Sequence, residues 1–292
     1  MNALYLILII IGISAQSVLK KGYNRKYGGG VFVFSAITVL TACLFFAVKS
    51  GFSLNFDVEV LPYALGFAAA YCCASIFGFL AIMTGPLSLT SLASSYSLLI
   101  PTFWGIIFDK DPTSVWLYVG LGLLAASLVF INLKDKPKDV TTEDHGEVKM
   151  SLKWAIFVLI ALVTNGACST IQPAQSKLFE GAYDSAFMVI SLAVVFVVLA
   201  TLVLFKERHE ILPSLKAGAP AMVLCGVANG VVNLLVMVAS LTIDKSVMFP
   251  LISAGGIVLT WVISMFLYKE KLSMKQNIGL VLGIISIVFL NL

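Results

Sequence analysis

The chain has 292 residues, of which 60% are apolar and only 12% are charged. A soluble domain has about a quarter of its residues charged, so this composition excludes a soluble globular protein and indicates one embedded in a membrane. The formal net charge of +4 is too small to predict a nucleic-acid partner. The five cysteines lie in apolar runs without C-x-x-C spacing and predict neither a disulfide nor a metal site.

Ten apolar runs are long enough to cross the membrane, because about 20 helical residues span the hydrocarbon layer. In chain order they cover residues 2–19, 30–48, 62–83, 86–107, 114–133, 153–172, 185–205, 217–240, 246–267 and 274–291. Gly85-Pro86 marks the turn between the third and fourth runs, since glycine suits a helix end and proline a helix start. The hydrophilic segment 134–150 predicts a solvated linker that separates five spans from five.

The sequences on the two sides of the linker align with each other. Residues 109–133 match residues 268–292 without a gap, and this places Gly120 on Gly279. In a second alignment Gln16 falls on Gln172. A shared acidic turn followed by a glycine-bearing span favours a duplication over chance similarity among apolar helices.

The number of spans in each repeat determines how the repeats insert. Two similar halves with five crossings each must face opposite ways across the membrane. We therefore predict an all-α integral membrane protein of ten transmembrane helices arranged as two inverted five-helix repeats, residues 1–133 and 151–292, joined by the linker 134–150. Inverted repeats are typical of alternating-access carriers, whose substrate site lies near the midplane between the halves.

The segment "FPLISAGGIVLTWVISMFLYKEKLSMKQNIGLVLGIISIVFLN" has a turn glutamate, Glu270, followed by Gly279. The first half has the weaker version "SLLIPTFWGIIFDKDPTSVWLYVGLGLL", with Asp111 at the acidic position. With ten spans and a five-plus-five duplication, the chain resembles the drug/metabolite transporter superfamily, and within it the EamA-type exporters and permeases. The resemblance implies transport of amino acids and related metabolites. It also implies a central cavity lined mainly by the first, third and fourth helices of each half.

The predicted spans carry no charged or histidine side chain in their cores. A charge at bilayer depth costs at least ~2.5 kcal/mol, which proton-driven pumps accept in order to obtain a titratable relay. The absence of such groups argues against a buried carboxylate that binds cationic drugs. It also argues against hydrolytic chemistry, so we predict no enzyme activity, catalytic residue, metal or cofactor.

Neutral polar side chains take the place of charges within the spans. Asn165, Ser169 and Gln172 share one face of the sixth predicted helix, and Asn229 and Asn233 share one face of the eighth. One interpretation is that these amides bond between helices, which is worth ~0.6 kcal/mol on average. The other is that they bind substrate, because each amide offers donors and an acceptor. For the set as a whole we favour binding, with substrate-binding residues Gln16, Tyr71, Tyr96, Asn165, Ser169, Gln172, Asn229 and Asn233.

Tyr71 and Tyr96 are expected to form the apolar wall of this site, although aromatic rings are equally suited to packing or to the membrane interface. Helix breakers predict hinges or fixed kinks at Pro101, Pro173, Gly255 and Gly256. The two prolines should free the carbonyls of Ser97 and Ser169 by removing a helical hydrogen bond. Gly279-x-x-x-Gly283 indicates close helix packing, either within the chain or in a homodimer.

The positive charges are unevenly distributed among the loops. Of the 19 lysines and arginines, 15 lie in the odd-numbered loops and adjoining helix ends, and 4 lie in the even-numbered ones. The positive-inside rule places the linker in the cytoplasm and both termini outside. The resemblance implies the opposite, with cytoplasmic termini, and we follow the charge bias.

These features together predict a multi-pass protein of the cell membrane that contacts lipid and a small-molecule substrate. The function we favour is secondary transport of a small neutral or zwitterionic metabolite, resembling an amino acid, by alternating access. The alternatives are a multidrug or cation exporter of the same superfamily and a membrane receptor or scaffold that transports nothing.

Overall fold

A computed structural model describes residues 2–84, 96–132, 152–268 and 274–290, and most of these residues are helical. The described α-helices are α1 (Asn2–Lys26), α2 (Val31–Lys49), α3 (Val60–Thr84), α4 (Leu99–Ile107), α5 (Val115–Asn132), α6 (Leu152–Leu178), α7 (Asp184–Lys206), α8 (Ile211–Ser240), α9 (Lys245–Tyr268) and α10 (Met274–Leu290). A 3₁₀ turn at Arg208–Glu210 precedes α8. The described segments contain no β-strand.

Each predicted span overlaps one of these helices. In the described part of the chain, six helices are long and apolar enough to cross a membrane, namely α1, α2, α3, α6, α7 and α8, the last together with its 3₁₀ turn. The protein is therefore an all-helical, multi-pass membrane protein. The predicted Gly85-Pro86 turn, the linker 134–150 and Glu270 lie outside the described residues.

Three helices extend six or seven residues beyond their predicted bounds. Helix α1 continues to Lys26, seven residues beyond the predicted end at residue 19. Helix α6 continues through Pro173 to Leu178, six residues beyond the predicted end at residue 172. Helix α8 begins at Ile211, and the predicted start at residue 217 falls next to a kink at Gly218, where φ is −160° and ψ is 26°. In these helices hydropathy located the apolar stretch, whereas the helix itself extends beyond it.

The helices form two compact units, and each unit combines segments from before and after the linker. Unit 1 comprises residues 1–72 and 168–243, and unit 2 comprises residues 73–167 and 244–292. Helices α3 and α6 contribute to both units. The compact units therefore do not coincide with the two repeats predicted along the sequence.

In unit 1, glycines of α8 allow close contact with α2. A Cβ atom on Gly226 would lie 2.5 Å from Thr41 Cβ and 2.6 Å from the backbone oxygen of Thr38. One turn later, a Cβ on Gly230 would lie 2.6 Å from Phe45 Cδ1. Helix α2 also packs against α7, with Val33 N donating to Glu207 Oε2 at 3.0 Å and Lys49 Nζ donating to Ser185 Oγ at 3.2 Å. The start of α2 thus faces the end of α7, so these two helices are antiparallel.

In unit 2, α5 and α10 pack together as an antiparallel pair. Ser127 Oγ donates to the carbonyl of Gly279 at 2.6 Å, and a Cβ on Gly283 would lie 2.9 Å from the same Ser127 oxygen. Near the other end of the pair, a Cβ on Gly120 would lie 3.1 Å from the backbone nitrogen of Leu290. The Gly279-x-x-x-Gly283 face is therefore a packing surface within the chain, covered by α5. Helix α9 packs against α4 and α10 in the same unit.

We predict that Gly226→Ala destabilises the protein by about 1–3 kcal/mol, because the added methyl group overlaps backbone as well as side-chain atoms of α2. A matched control is Gly122→Ala, since Gly122 lies in α5 and a Cβ there would meet nothing within 4 Å. That change should stabilise the helix by about 0.5–1 kcal/mol. Thermal unfolding in detergent measures both, and an unchanged melting temperature for Gly226→Ala would contradict the close α2–α8 contact.

Candidate functional site

A network of carboxamides connects α1 with α8 in unit 1. Asn229 and Asn233 lie one turn apart on α8 and therefore share a face. Asn229 Nδ2 donates to Gln16 Oε1 on α1 at 3.2 Å, and Asn233 Nδ2 donates to Asn229 Oδ1 at 3.0 Å and to its backbone oxygen at 2.8 Å. Gln16 is buried, whereas both asparagines are half-buried. The structure therefore brings three of the predicted site residues into one hydrogen-bonded group.

Helix α6 adds a fourth amide to this group. Gln172 Nε2 donates to the backbone oxygen of Asn233 at 3.1 Å, and four residues later Ser176 Oγ lies 3.3 Å from the backbone oxygen of Met237. The two contacts advance together along both helices, so α6 and α8 run parallel here. Gln172 and Ser176 are both buried. Of the predicted polar face of α6, Gln172 thus contacts the backbone of α8, and Ser176 extends this contact by one turn.

These hydrogen bonds do not use every donor and acceptor atom of the network. Among the described residues, the side-chain oxygen of Asn233 accepts no hydrogen bond, and both asparagines keep accessible surface. An amide has two donor hydrogens and an oxygen with two lone pairs. The network therefore combines the two interpretations: its members bond between helices, and Asn233 keeps an acceptor that a ligand could use.

The remaining predicted binding residues are distributed over both units. In unit 1, the Tyr71 ring centroid lies 5.8 Å from that of Phe67, and Ser169 is half-buried on α6. In unit 2, Asn165 Nδ2 donates to Ser97 Oγ at 2.7 Å, and Tyr96 donates its hydroxyl to the Ala125 carbonyl at 3.3 Å. The hydrogen bonds of Asn165 and Tyr96 thus hold these two side chains within unit 2.

The predicted hinge residues lie in continuous helices. Pro101 is in the first turn of α4, where a missing N–H costs little, and the Ser97 carbonyl accepts from Ile100 N at 3.2 Å. Pro173 is buried inside α6. Gly255 and Gly256 lie within α9, and a Cβ on Gly256 would meet nothing within 4 Å. A kink that the sequence did not predict occurs at Gly218.

Acidic residues anchor the turn between α4 and α5 in unit 2. Asp111 is buried, and its Oδ2 accepts from the backbone nitrogen of Ser246 at 2.9 Å, in the first turn of α9. Asp109 Oδ2 lies 2.6 Å from Lys245 Nζ. A carboxylate at a helix start satisfies a free N–H and interacts favourably with the helix dipole. These contacts give the turn a structural role.

In unit 1, a hydrogen bond between Tyr27 and Glu210 links two connecting segments. The Tyr27 hydroxyl donates to Glu210 Oε2, which links the segment after α1 to the 3₁₀ turn before α8. This hydrogen bond to the carboxylate raises the pKa of the Tyr27 phenol, because ionising the phenol would remove the donor. The contact therefore holds two connecting segments together.

Sequence reasoning missed a buried carboxylate and two polar neighbours. Asp184, the first residue of α7, is 5% exposed, and its Oδ2 accepts from Ser176 Oγ at 3.1 Å. Gln175 is fully buried, and neither of its amide atoms has a hydrogen-bond partner. The predicted spans ended at residue 172 and began again at residue 185, so all three were assigned to a loop. Continuing the polar face of α6 from Gln172 by four residues would have included Ser176.

Metal ligands do not cluster in the part of the chain that the structure describes. It contains no group of three or more histidine, cysteine, aspartate or glutamate side chains placed to hold a metal ion. The chemistry available in the network of unit 1 is therefore hydrogen bonding.

Residues 152–292 match the sequence profile of the EamA-like transporter family. No curated protein matches the chain. Among the solved structures, one described only as the crystal structure of a protein superposes with a TM-score of 0.74, over 99% of this chain and 95% of that chain. The two sequences are 14% identical, so this similarity concerns the fold alone.

We predict a measurable coupling between Gln16 and Asn229 in a double-mutant cycle. Gln16→Ala and Asn229→Ala should interact by about 0.6 kcal/mol, the average for such hydrogen bonds in a membrane protein. Thr201→Ala is a suitable control partner, because Thr201 is exposed and bonds only within α7, to the carbonyl of Val197. If the double variant changes the free energy of unfolding by the sum of the two single changes, the hydrogen bond between Gln16 and Asn229 is contradicted.

Proposed function

We propose that this chain, whose residues 152–292 match the EamA-like transporter family, belongs to that family of the drug/metabolite transporter superfamily and is a secondary transporter for a small neutral or zwitterionic metabolite. Members of that family are transporters, not enzymes. The observation that carries the proposal is the carboxamide network of unit 1, formed by Gln16, Gln172, Asn229 and Asn233. It joins three helices within apolar, membrane-spanning segments.

The directions of the helices support an inverted repeat. If each half crosses the membrane five times, every helix must run opposite to its counterpart five positions later. Helices α2 and α7 are antiparallel, and so are α5 and α10. Three counterpart pairs, α2–α7, α4–α9 and α5–α10, pack directly against each other. This pattern is consistent with ten crossings and a two-fold axis in the membrane plane, the arrangement on which alternating access depends.

The chemistry of the network indicates the class of solute. Carboxamides offer both donors and acceptors without net charge, and this suits a solute that carries its own balanced polar groups. Residues 219–240 of α8, which include Asn229 and Asn233, contain no charged side chain. A solute with an uncompensated charge would have to give up its hydration for amide dipoles alone, at a high cost in free energy. An amino-acid-like metabolite fits these donors and acceptors better than a bare cation.

The proposal predicts that Asn233→Ala reduces transport without reducing protein levels. Losing one hydrogen bond to the solute costs about 1–1.5 kcal/mol, or roughly tenfold in apparent affinity. Asn229→Ala should have a similar effect, because it also removes the side-chain acceptor of Asn233 Nδ2. Purified protein in liposomes, loaded with a mixture of radiolabelled neutral amino acids, provides the assay. Thr201→Ala serves as the control, and wild-type transport by both asparagine variants would end the case for an amide site.

The charge distribution predicts the orientation of the chain. With 15 of the 19 lysines and arginines on the odd-loop side, the linker 134–150 should be cytoplasmic and both termini external. An epitope placed in the linker should be accessible only after the cell membrane is permeabilised, whereas a C-terminal epitope should be accessible on intact cells. The reverse pattern would overturn the assignment and leave the proposed transport activity unaffected.

A further inference from the structure

Polar contacts continue from the amide network to the buried carboxylate at the start of α7. Gln172 of α6 contacts the backbone of Asn233, and one turn later Ser176 contacts both Met237 of α8 and Asp184 of α7. All of these residues belong to unit 1. Ser176 thus stands between Asp184 and the helix that carries the two asparagines.

Asp184 is enclosed and forms no ion pair among the described residues, but Lys49 of α2 interacts with it electrostatically at longer range. Its side chain is 5% exposed, and its Oδ1 has no hydrogen-bond partner. The nearby cation on α2, Lys49, donates to Ser185 Oγ at 3.2 Å, and no described cation forms an ion pair with Asp184. Lys177 and Glu180, in the segment between α6 and α7, are exposed.

The other helices around Asp184 bring no charge to it. Residues 60–84 of α3 and 219–240 of α8 contain no charged side chain. An ionised carboxylate in such surroundings is costly unless several donors satisfy it, so burial favours its neutral form.

The hydrogen-bond donors at this position are fewer than the acceptors. Ser176 has one hydroxyl hydrogen, yet its oxygen lies 3.1 Å from Asp184 Oδ2 and 3.3 Å from the Met237 carbonyl. One hydroxyl can donate to only one of these oxygens at a time. Gln175, the residue before Ser176, is fully buried with both amide atoms unpartnered. The region therefore contains buried donor and acceptor atoms that the folded chain leaves without hydrogen-bond partners.

We propose that Asp184 is a proton-binding site and that Ser176 transmits its protonation state to α8. A proton from the aqueous phase forms an O–H bond at Asp184 Oδ1, and the carboxyl group becomes neutral. The neutral group is a weaker acceptor, so the Ser176 hydroxyl turns from Asp184 to the Met237 carbonyl. Release of the proton restores the first bond. If the proposed transport function holds, this switch couples solute movement on α6 and α8 to a proton.

A direct test uses infrared difference spectroscopy on the purified protein, without any solute. Raising the pH from mildly acidic to mildly alkaline should remove the absorption of a protonated carboxyl group in the wild type. Asp184→Asn should abolish this change. Glu180→Gln is the matched control, because it removes an exposed acid in the same connecting segment and should leave the change intact. A carboxyl signal that persists in Asp184→Asn would overturn the proposal.

Two further variants keep the test decisive. If Asp184→Asn does not fold, Asp184→Glu should retain the signal at a shifted frequency, and an unshifted signal would exclude Asp184 as its source. Ser176→Ala should retain the signal but shift its pH midpoint, because it removes the hydrogen bond to Oδ2. An unchanged midpoint would exclude the proposed role of Ser176.

Coupling is tested separately in liposomes with the radiolabelled amino-acid mixture. An imposed pH gradient should drive accumulation in the wild type, whereas Asp184→Asn should still exchange solute at equilibrium but lose gradient-driven accumulation. Equal accumulation by both proteins would refute the coupling and leave the proposed transport function standing. Absence of transport by the wild type would contradict the proposed function, while the infrared result would still decide whether Asp184 binds a proton.

Discussion

Hydrocarbon offers no hydrogen-bond partner, so a polar side chain inside a membrane-spanning helix must find its partner within the protein. This constraint explains why the carboxamides of α1, α6 and α8 contact each other and the backbone rather than standing free. It also explains why α8 carries glycines where it meets α2: contact through dispersion and hydrogen bonding requires backbones to approach closely. Asp184 Oδ1, at the start of α7, is a buried polar atom that the described part of the protein leaves without such a partner.

Each of the two compact units combines helices from both halves of the sequence. In each unit, helices from before the linker pack against helices from after it, and three of these contacts are between counterparts. A helix that packs against its own counterpart lies near the symmetry axis of the pair. Helices α3 and α6, which contribute to both units, are each divided near the middle of their length. The division of the chain at the linker therefore differs from its division into compact units.

Hydropathy was sufficient to predict the helical class and the approximate positions of the described helices, because a backbone exposed to lipid must satisfy its own hydrogen bonds and therefore forms helices of apolar residues. It could not predict where helices end. Lys26 Nζ, for example, donates to the carbonyl of Ala217 at 2.7 Å, a tertiary contact that secures the last turn of α1 beyond its apolar run. The shared face of Asn229 and Asn233 was predictable from helical periodicity, but their partner Gln16 is 213 residues from Asn229 along the chain. Asp184 was missed because it lies one residue before a boundary that was drawn from hydrophobicity alone.

The parallel contact between α6 and α8 has a geometric consequence. Its two donors, Gln172 and Ser176, are spaced four residues apart, and so are the carbonyls they face, those of Asn233 and Met237. If α6 slid by one turn, about 5.4 Å, Gln172 would arrive opposite Met237 and one of the two bonds would form again. The two helices thus have a second geometric register, one turn away, that keeps one of their two mutual hydrogen bonds.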